Sequence, residues 1–373
     1  MAAPLYVGLM TGTSVDGIDA CLVSFDAGVE ELGHLHQPFP RDLRERILAL
    51  ARSGGTLAEA ATLDVELGRA SASAVLALLE RTATPAGRVH AIGSHGQTVL
   101  HRPAGDAPTS IQLGDPSVIA VTTGIDTVAD FRRADIAAGG EGAPLAPAFH
   151  ATVFGDPRER RAVVNLGGIA NVTRLDPDAA VIGFDTGPAN ILLDAWIGRT
   201  RGEACDADGA WAASGTVDTA LLARLRRDPW FERPPPKSTG RERFDLDWVD
   251  ARLAQQPAPV AAADVQATLA ALTATTVADG LRATGPAPDR LIVCGGGARN
   301  ADLVERLRGA LPGTAVETSD AHGVDPQRVE ALAFAWLAQR RLADRPGNLP
   351  SVTGAAHPLV LGALVRAPRS DGA

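Results

Sequence analysis

Two stretches of this chain share one local design, and that repetition constrains the fold more than any other feature. Leu5 to Met10 and Ile18 to Phe25 are aliphatic runs that read as strands, joined by Thr11-Gly12-Thr13-Ser14-Val15-Asp16-Gly17. Ala162 to Leu166 and Ile169 to Leu175 repeat the pattern around Gly167-Gly168. In the first half, helical spacing follows over Leu57 to Leu79, then strand-like runs at Val89 to Gly93 and Ser110 to Leu113. In the second, a strand at Val181 to Phe184 precedes a helix over Pro188 to Ile197, with proline in its first turn. Helices at Asp264 to Leu281, Ala301 to Leu311 and Pro326 to Gln339 follow, with a buried-type strand at Leu291 to Cys294. Strands alternating with helices predict an α/β protein with largely parallel sheets. Two halves that open alike predict duplicated domains facing each other across a cleft. The glycine- and proline-bearing stretch from Asp130 to Ala148 reads as the crossing between them.

The first turn carries chemistry as well as geometry. Between Met10 and Asp19 it gathers two glycines, three hydroxyls and two carboxylates. Glycine lets backbone N–H groups turn toward an anion, and hydroxyls donate to phosphate oxygens. Asp16 or Asp19 is suited to Mg2+, directly or through water. An ordinary polar hairpin turn is the plain alternative. Two further turns favour phosphate. Gly183-Phe184-Asp185-Thr186-Gly187-Pro188-Ala189-Asn190 sets a carboxylate at a strand end before a helix whose free N–H groups attract an anion. Cys294-Gly295-Gly296-Gly297-Ala298-Arg299-Asn300 places three glycines where a flat adenine or ribose can approach the backbone. None has the spacing of a P-loop or a Rossmann fingerprint.

Composition narrows the partners. At 373 residues, two domains are expected. The formal charge of −9 and pI near 5.4 exclude the basic face of a nucleic-acid binder. No apolar run approaches the ~20 residues that cross a bilayer, and no secretory leader is expected. Cys21, Cys205 and Cys294 are odd in number and lack metal-ligand spacing, which fits a reducing, cytoplasmic setting. Of 35 basic residues only Lys237 is lysine, and Pro234-Pro235-Pro236 before it predicts an exposed, stiffened loop. Either a compact ammonium is needed there, to meet a phosphate for instance, or one lysine has survived by chance.

Taken in order, these motifs resemble the actin, Hsp70 and sugar-kinase superfamily and, within it, the anhydro-N-acetylmuramic acid kinases. The resemblance is carried by Gly8 to Asp19, Gly93-Ser94-His95-Gly96-Gln97-Thr98, Ala129-Asp130-Phe131-Arg132, Val164 to Asn171 and Gly183 to Asn190. Pro235 to Glu242, Gly295 to Asn300, Val329 to Trp336 and Val352 to Ala355 complete it, so it spans essentially the whole chain. Thr11, Val15 and Ala189 are small departures.

The resemblance implies two duplicated actin-like (ribonuclease H-like) α/β lobes around a central nucleotide cleft. Residues 1–130 with about 345–373 would form lobe I, and 131–344 lobe II. It implies an ATP- and Mg2+-dependent kinase that hydrolyses the 1,6-anhydro bridge of anhydro-N-acetylmuramic acid while phosphorylating O6, in peptidoglycan recycling. By resemblance Asp185 is the base that activates water, and Glu330 a second carboxylate; an Asp capping a helix and a surface glutamate are the rival readings. Gly12, Thr13, Ser14, Val15, Asp16, Gly17, Ile18 and Asp19 would cradle phosphates, with Gly187, Gly295, Gly296, Gly297 and Asn300 completing the nucleotide site. His95, Gln97 and Arg132 would face the sugar. A small-molecule sugar substrate and a homodimer are expected, with neither nucleic acid nor membrane as partner. A hexose kinase of the same superfamily, or a non-catalytic ATP-binding module, are the alternatives.

Overall fold

The computed structural model describes residues 3–12, 14–240 and 243–368, so Thr13, Arg241 and Glu242 lie outside the described residues. The chain forms two compact units. One comprises residues up to Phe149 together with those from Arg328 onward, and the other is His150–Gln327.

Unit 1 is built on β1 (Leu5–Met10), β2 (Gly17–Ser24), β3 (Glu30–Pro38), β4 (Val89–Ser94) and β7 (Thr127–Ala129), with β5 (Gln97–Arg102) and β6 (Thr109–Leu113) as a separate hairpin. The sheet order is Ala363–Val365, β7, β4, β1, β2, β3. β1 to β3 form an antiparallel meander, whereas β1–β4 and β4–β7 are parallel. Short glycine turns return the chain only to an antiparallel neighbour, and parallel pairing needs a longer crossover. That is why the sheet is mixed rather than largely parallel. The crossover helix Leu57–Arg81 starts on an N-cap: the Thr56 hydroxyl accepts the Glu59 N–H at 3.1 Å. Its buried Leu63, Leu67, Val75 and Leu78 meet Val7, Leu9, Ile18, Ala20 and Leu22 in one core. Each such large aliphatic side chain contributes ~1.5–3 kcal/mol on full burial.

The opposite face of this sheet receives the helix Val329–Leu342. Gly8 and Gly93 allow it: a Cβ at Gly8 would fall 1.8 Å from the Ala331 carbonyl oxygen, and one at Gly93 2.0 Å from that of Phe334. Helix backbone therefore lies directly on β1 and β4.

Unit 2 repeats the scheme with β8 (Arg161–Leu166), β9 (Ile169–Leu175), β10 (Ile182–Pro188), β11 (Arg290–Cys294) and β12 (Ala315–Thr318), in the order β10, β9, β8, β11, β12. Again an antiparallel meander is extended by two parallel strands. The duplication seen in the sequence is thus a duplication of sheet topology. Helix Ala262–Ala283 closes one core against Val164, Val172, Phe184 and Val293. A second cluster gathers Trp196, Trp230, Phe244 and Trp248.

The units divide at 149/150 and 327/328, later than the expected 130/131 and earlier than the expected 344/345. Asp130 to Ala148 is not a free crossing: the buried Asp135 carboxylate takes the Gly142 N–H at 2.8 Å, the Asn348 amide at 2.7 Å and the Thr353 hydroxyl at 2.7 Å. Those bonds tie the segment to unit 1, and the helix Val329–Leu342 joins the same unit through Gly8 and Gly93. Among the described residues, no helix is long and apolar enough to cross a membrane.

Candidate active site

In unit 1 the singled-out residues emerge at one end of the sheet. The parallel strands β1, β4 and β7 lead, at their carboxyl ends, into Thr11–Asp16, His95–Gln97 and Asp130–Arg132, the end at which α/β sheets bind ligands. The Thr11 hydroxyl donates to the Gly96 carbonyl at 2.7 Å and so joins the first two loops. Gly12 is open: an added Cβ would meet nothing nearer than the Ser14 hydroxyl at 3.6 Å. Val15 is buried at φ 52, a strained conformation for a β-branched residue, and its carbonyl is held by Arg44 Nε at 2.9 Å. The Asp16 side chain is exposed. Gly17 and Ile18 serve the fold instead. A Cβ at Gly17 would strike the Gln37 carbonyl at 2.4 Å, and Ile18 is wholly buried in the core.

Asp19 does not point at solvent alone. One carboxylate oxygen meets His34 Nε2 at 3.2 Å and His36 Nδ1 at 3.0 Å. Burial opposes ionisation there, but the two imidazoles outweigh it and hold the carboxyl below its ordinary range.

Arg132 and Glu330, with the His95 ring beside them, form a second polar group. Arg132 donates to His95 Nε2 from Nη2 at 2.7 Å and from Nε at 3.2 Å, and to the Gly142 carbonyl at 2.8 Å. Burial lowers the guanidinium to about 10, partly offset by Glu330 and Asp135, so it stays charged at neutral pH. Three of its five N–H groups are committed, which leaves two for an anion. Burial first and Arg132 second push His95 well below the usual histidine range, so it is neutral. Because Nε2 accepts, the remaining proton sits on Nδ1, which lies near the backbone of Thr11 and Gly96 but is aligned with no partner among the described residues. Buried Gln97 Oε1 is in the same condition. The His95 ring rests on Phe334 at 4.6 Å, which fixes it to the helix that carries Glu330. Glu330 keeps solvent access, yet surrounding protein raises its carboxyl, with Arg132 opposing and Asp19 adding to the rise. A glutamate on a convex helix face would not be crowded in this way.

In unit 2 three glycine turns converge. The Asn190 amide donates to the carbonyls of Leu166 at 2.8 Å and Gly167 at 2.9 Å. A Cβ at Gly297 would meet Leu166 Cβ at 2.6 Å, and one at Gly295 would meet Asn165 Oδ1 at 2.2 Å. Gly295 and Gly297 are therefore required by packing on the end of β8, and only Gly296 faces open space. Asn300 is a buried N-cap whose Oδ1 accepts the Leu303 N–H at 2.9 Å.

The helix expected from Pro188 begins at Asn190, since Gly187 and Pro188 still pair with β9. Its anion pull is also largely spent. The N–H groups of Ala189, Asn190 and Ile191 donate to the Gly167 and Gly168 carbonyls. A Cβ at Gly187 would come within 2.8 Å of the Phe231 ring, so this glycine too serves packing.

Asp185 stands in edge strand β10 beside a register shift at Thr186. It does not cap the following helix. Its carboxylate accepts the Thr239 N–H at 2.9 Å, and its own N–H donates to the Lys237 carbonyl at 3.0 Å. The loop that supplies both contacts was expected to be exposed; instead Lys237 is buried against Trp230 and Phe231. The aromatic cluster of unit 2 draws it in. Thr239 had no signal in the sequence, because it acts through backbone that any residue carries.

The family model described as anhydro-N-acetylmuramic acid kinase matches residues 4–367. Proteins of that name from Xanthomonas campestris and Saccharophagus degradans are 53% and 49% identical over 368 and 369 residues. The alignments cover 97% of this chain and 97% of the first, and 98% of this chain and 99% of the second. Solved structures are looser matches: a ROK family glucokinase from Streptomyces griseus aligns over 90% of this chain and 99% of its own, at 15% identity and a TM-score of 0.43.

Proposed function

Because the chain belongs to the anhydro-N-acetylmuramic acid kinase family, we propose that it converts 1,6-anhydro-N-acetylmuramic acid to N-acetylmuramic acid 6-phosphate with ATP. The reading is carried by Asp185, a carboxylate at a break in an edge strand that accepts the Thr239 N–H and does not cap the following helix. Asp185 accepts a proton from water as the water oxygen bonds the anomeric carbon. The bond from that carbon to O6 breaks, and O6 bonds phosphorus as the bridge to ADP opens. Glu330 orients the water or the sugar. Arg132 meets the lactyl carboxylate with its two uncommitted N–H groups, and His95 Nδ1 and Gln97 Oε1 offer a donor and an acceptor to the sugar's polar groups.

ATP supplies the phosphoryl group, and the residues present fit it in part. Gly12 and Gly296 leave open backbone for phosphate and nucleoside. Mg2+ asks for one or two carboxylates and keeps several waters. Exposed Asp16 fits that demand better than Asp19, which His34 and His36 already engage. No group of three His, Cys, Asp or Glu side chains is arranged for a metal among the described residues.

The test is turnover with ATP, Mg2+ and the anhydro sugar in oxygen-18 water. Label at the anomeric hydroxyl and phosphate on O6 are expected. Phosphorylation without label would assign the chain to ordinary hydroxyl phosphorylation instead. An Asp185→Asn variant keeps nucleotide binding and loses turnover at least 100-fold, the usual order for a general base; near wild-type turnover removes Asp185 from that role.

A further inference from the structure

Lys237 is the only lysine among 35 basic residues, and the proposed reaction leaves it without a task. It is nine-tenths buried. Its ammonium donates to the Phe231 carbonyl at 2.9 Å and stands 4.6 Å from the centre of the Trp230 ring. Both contacts close the segment 230–237 on itself. From that closed loop the backbone reaches Asp185 twice, through the Lys237 carbonyl and the Thr239 N–H.

We propose that Lys237 is a positioning residue for Asp185: its ammonium locks the 230–239 loop, and the locked loop fixes the direction of the Asp185 carboxylate through Thr239. The inference rests on Asp185 being the base. A single carbonyl beside an indole face suits a compact ammonium, whereas a guanidinium spreads its charge over a plane and several donors. Arg233 and the Asp185 carboxylate act on the ammonium through their charges; Arg226, Glu232 and Asp279 line the same hollow of about 420 Å³. Asp279 is committed to Arg226 at 2.7 Å. Burial, then Arg233, hold Lys237 below the usual lysine range while Asp185 pulls it upward. By reciprocity the ammonium favours the ionised form of Asp185.

The test compares Lys237→Met, Lys237→Arg and Thr239→Pro in the full-length chain, measuring kcat, sugar KM and the pH dependence of kcat. Lys237→Met is expected to lower kcat ~10–100-fold, the usual scale for a misdirected group, with sugar KM within about threefold. Its acid limb moves to higher pH, because a positive charge that favours the ionised carboxylate is lost. Lys237→Arg leaves the limb in place, since the hollow admits the longer charged side chain, and recovers part of the rate. Thr239→Pro removes the N–H that Asp185 accepts, along with the threonine side chain and the freedom of φ, and moves the limb upward with Lys237 intact. An unmoved limb in a Lys237→Met protein that melts like wild type overturns the proposal, whatever happens to kcat. If Lys237→Met fails to fold, an unmoved limb in Thr239→Pro overturns it. Should Asp185→Asn retain turnover, the fault lies with the base assignment rather than with Lys237.

Discussion

Replacing Gly8 by alanine tests how the unit 1 sheet places Glu330. The new Cβ would fall 1.8 Å from the Ala331 carbonyl oxygen, 2.8 Å from its carbon and 2.9 Å from the Ala335 nitrogen. Real Cβ contacts stop near 3.0 Å, so the gap to be opened is 3.0 − 1.8 = 1.2 Å. Both obstacles are backbone, so no side-chain rotation relieves the clash. Overpacking of this kind costs ~1–3 kcal/mol. The helix must slide or lift, and Glu330 directly precedes the displaced carbonyl. Misplacement by about 1 Å lowers turnover by a factor on the order of 100. Urea unfolding and steady-state kinetics on Gly8→Ala would read both effects. Gly93→Ala, 2.0 Å from the Phe334 carbonyl oxygen, presses on the same helix, and the double variant should cost less than the sum. A Gly8→Ala protein within 0.5 kcal/mol and twofold in kcat of wild type, on the ~1–3 kcal/mol scale above, would refute the reasoning.

Burial holds His150 at about 3, and its Nδ1 meets the Thr173 hydroxyl at 2.9 Å. The unfolded chain therefore binds this proton more readily, and the stability contributed by the neutral ring is full above pH ~7 and lost as pH falls from 6.5 toward 3. Between pH 7 and 4.5 the loss is roughly 2.5 kcal/mol at ~1.4 kcal/mol per unit, so a deficit of His150→Asn at pH 7 should shrink by that amount at pH 4.5. A deficit that stays constant in denaturant melts across that range would show that the ring is not held neutral. Arg132→Lys removes the fork that spans His95 and Gly142; sugar KM should rise at least tenfold with nucleotide KM unchanged. An unchanged sugar KM would take Arg132 out of the sugar site.

The strand–turn–strand units and the long helices were legible because their signals are local: periodicity, turn glycines and the Thr56–Glu59 cap. Where contacts are remote in sequence, letters mislead. The packing demand on Gly295 and Gly297 is one such case, since the neighbours that require them, Asn165 and Leu166, lie on another strand. Three prolines suggest that Lys237 is exposed; Trp230 and Phe231 bury it. Pro188 suggests a helix start, but the β9 ladder extends through it. Conversely His95, Gln97 and Arg132, separated in the chain, sit at the ends of adjacent parallel strands, because β4 and β7 are neighbours. The sheet, not their spacing, brings them to one edge.

Unit 1 is assembled from two separated stretches of chain, whereas unit 2 is one continuous stretch between them. As the nascent chain leaves the ribosome, β1 and β4 appear early, but the helix that covers one of their faces arrives only with residues 329–342. That apolar face must wait, bare, while all of His150–Gln327 is synthesised. The second unit in sequence is then the first that can finish folding, and the earliest strands are the ones most in need of chaperone shelter.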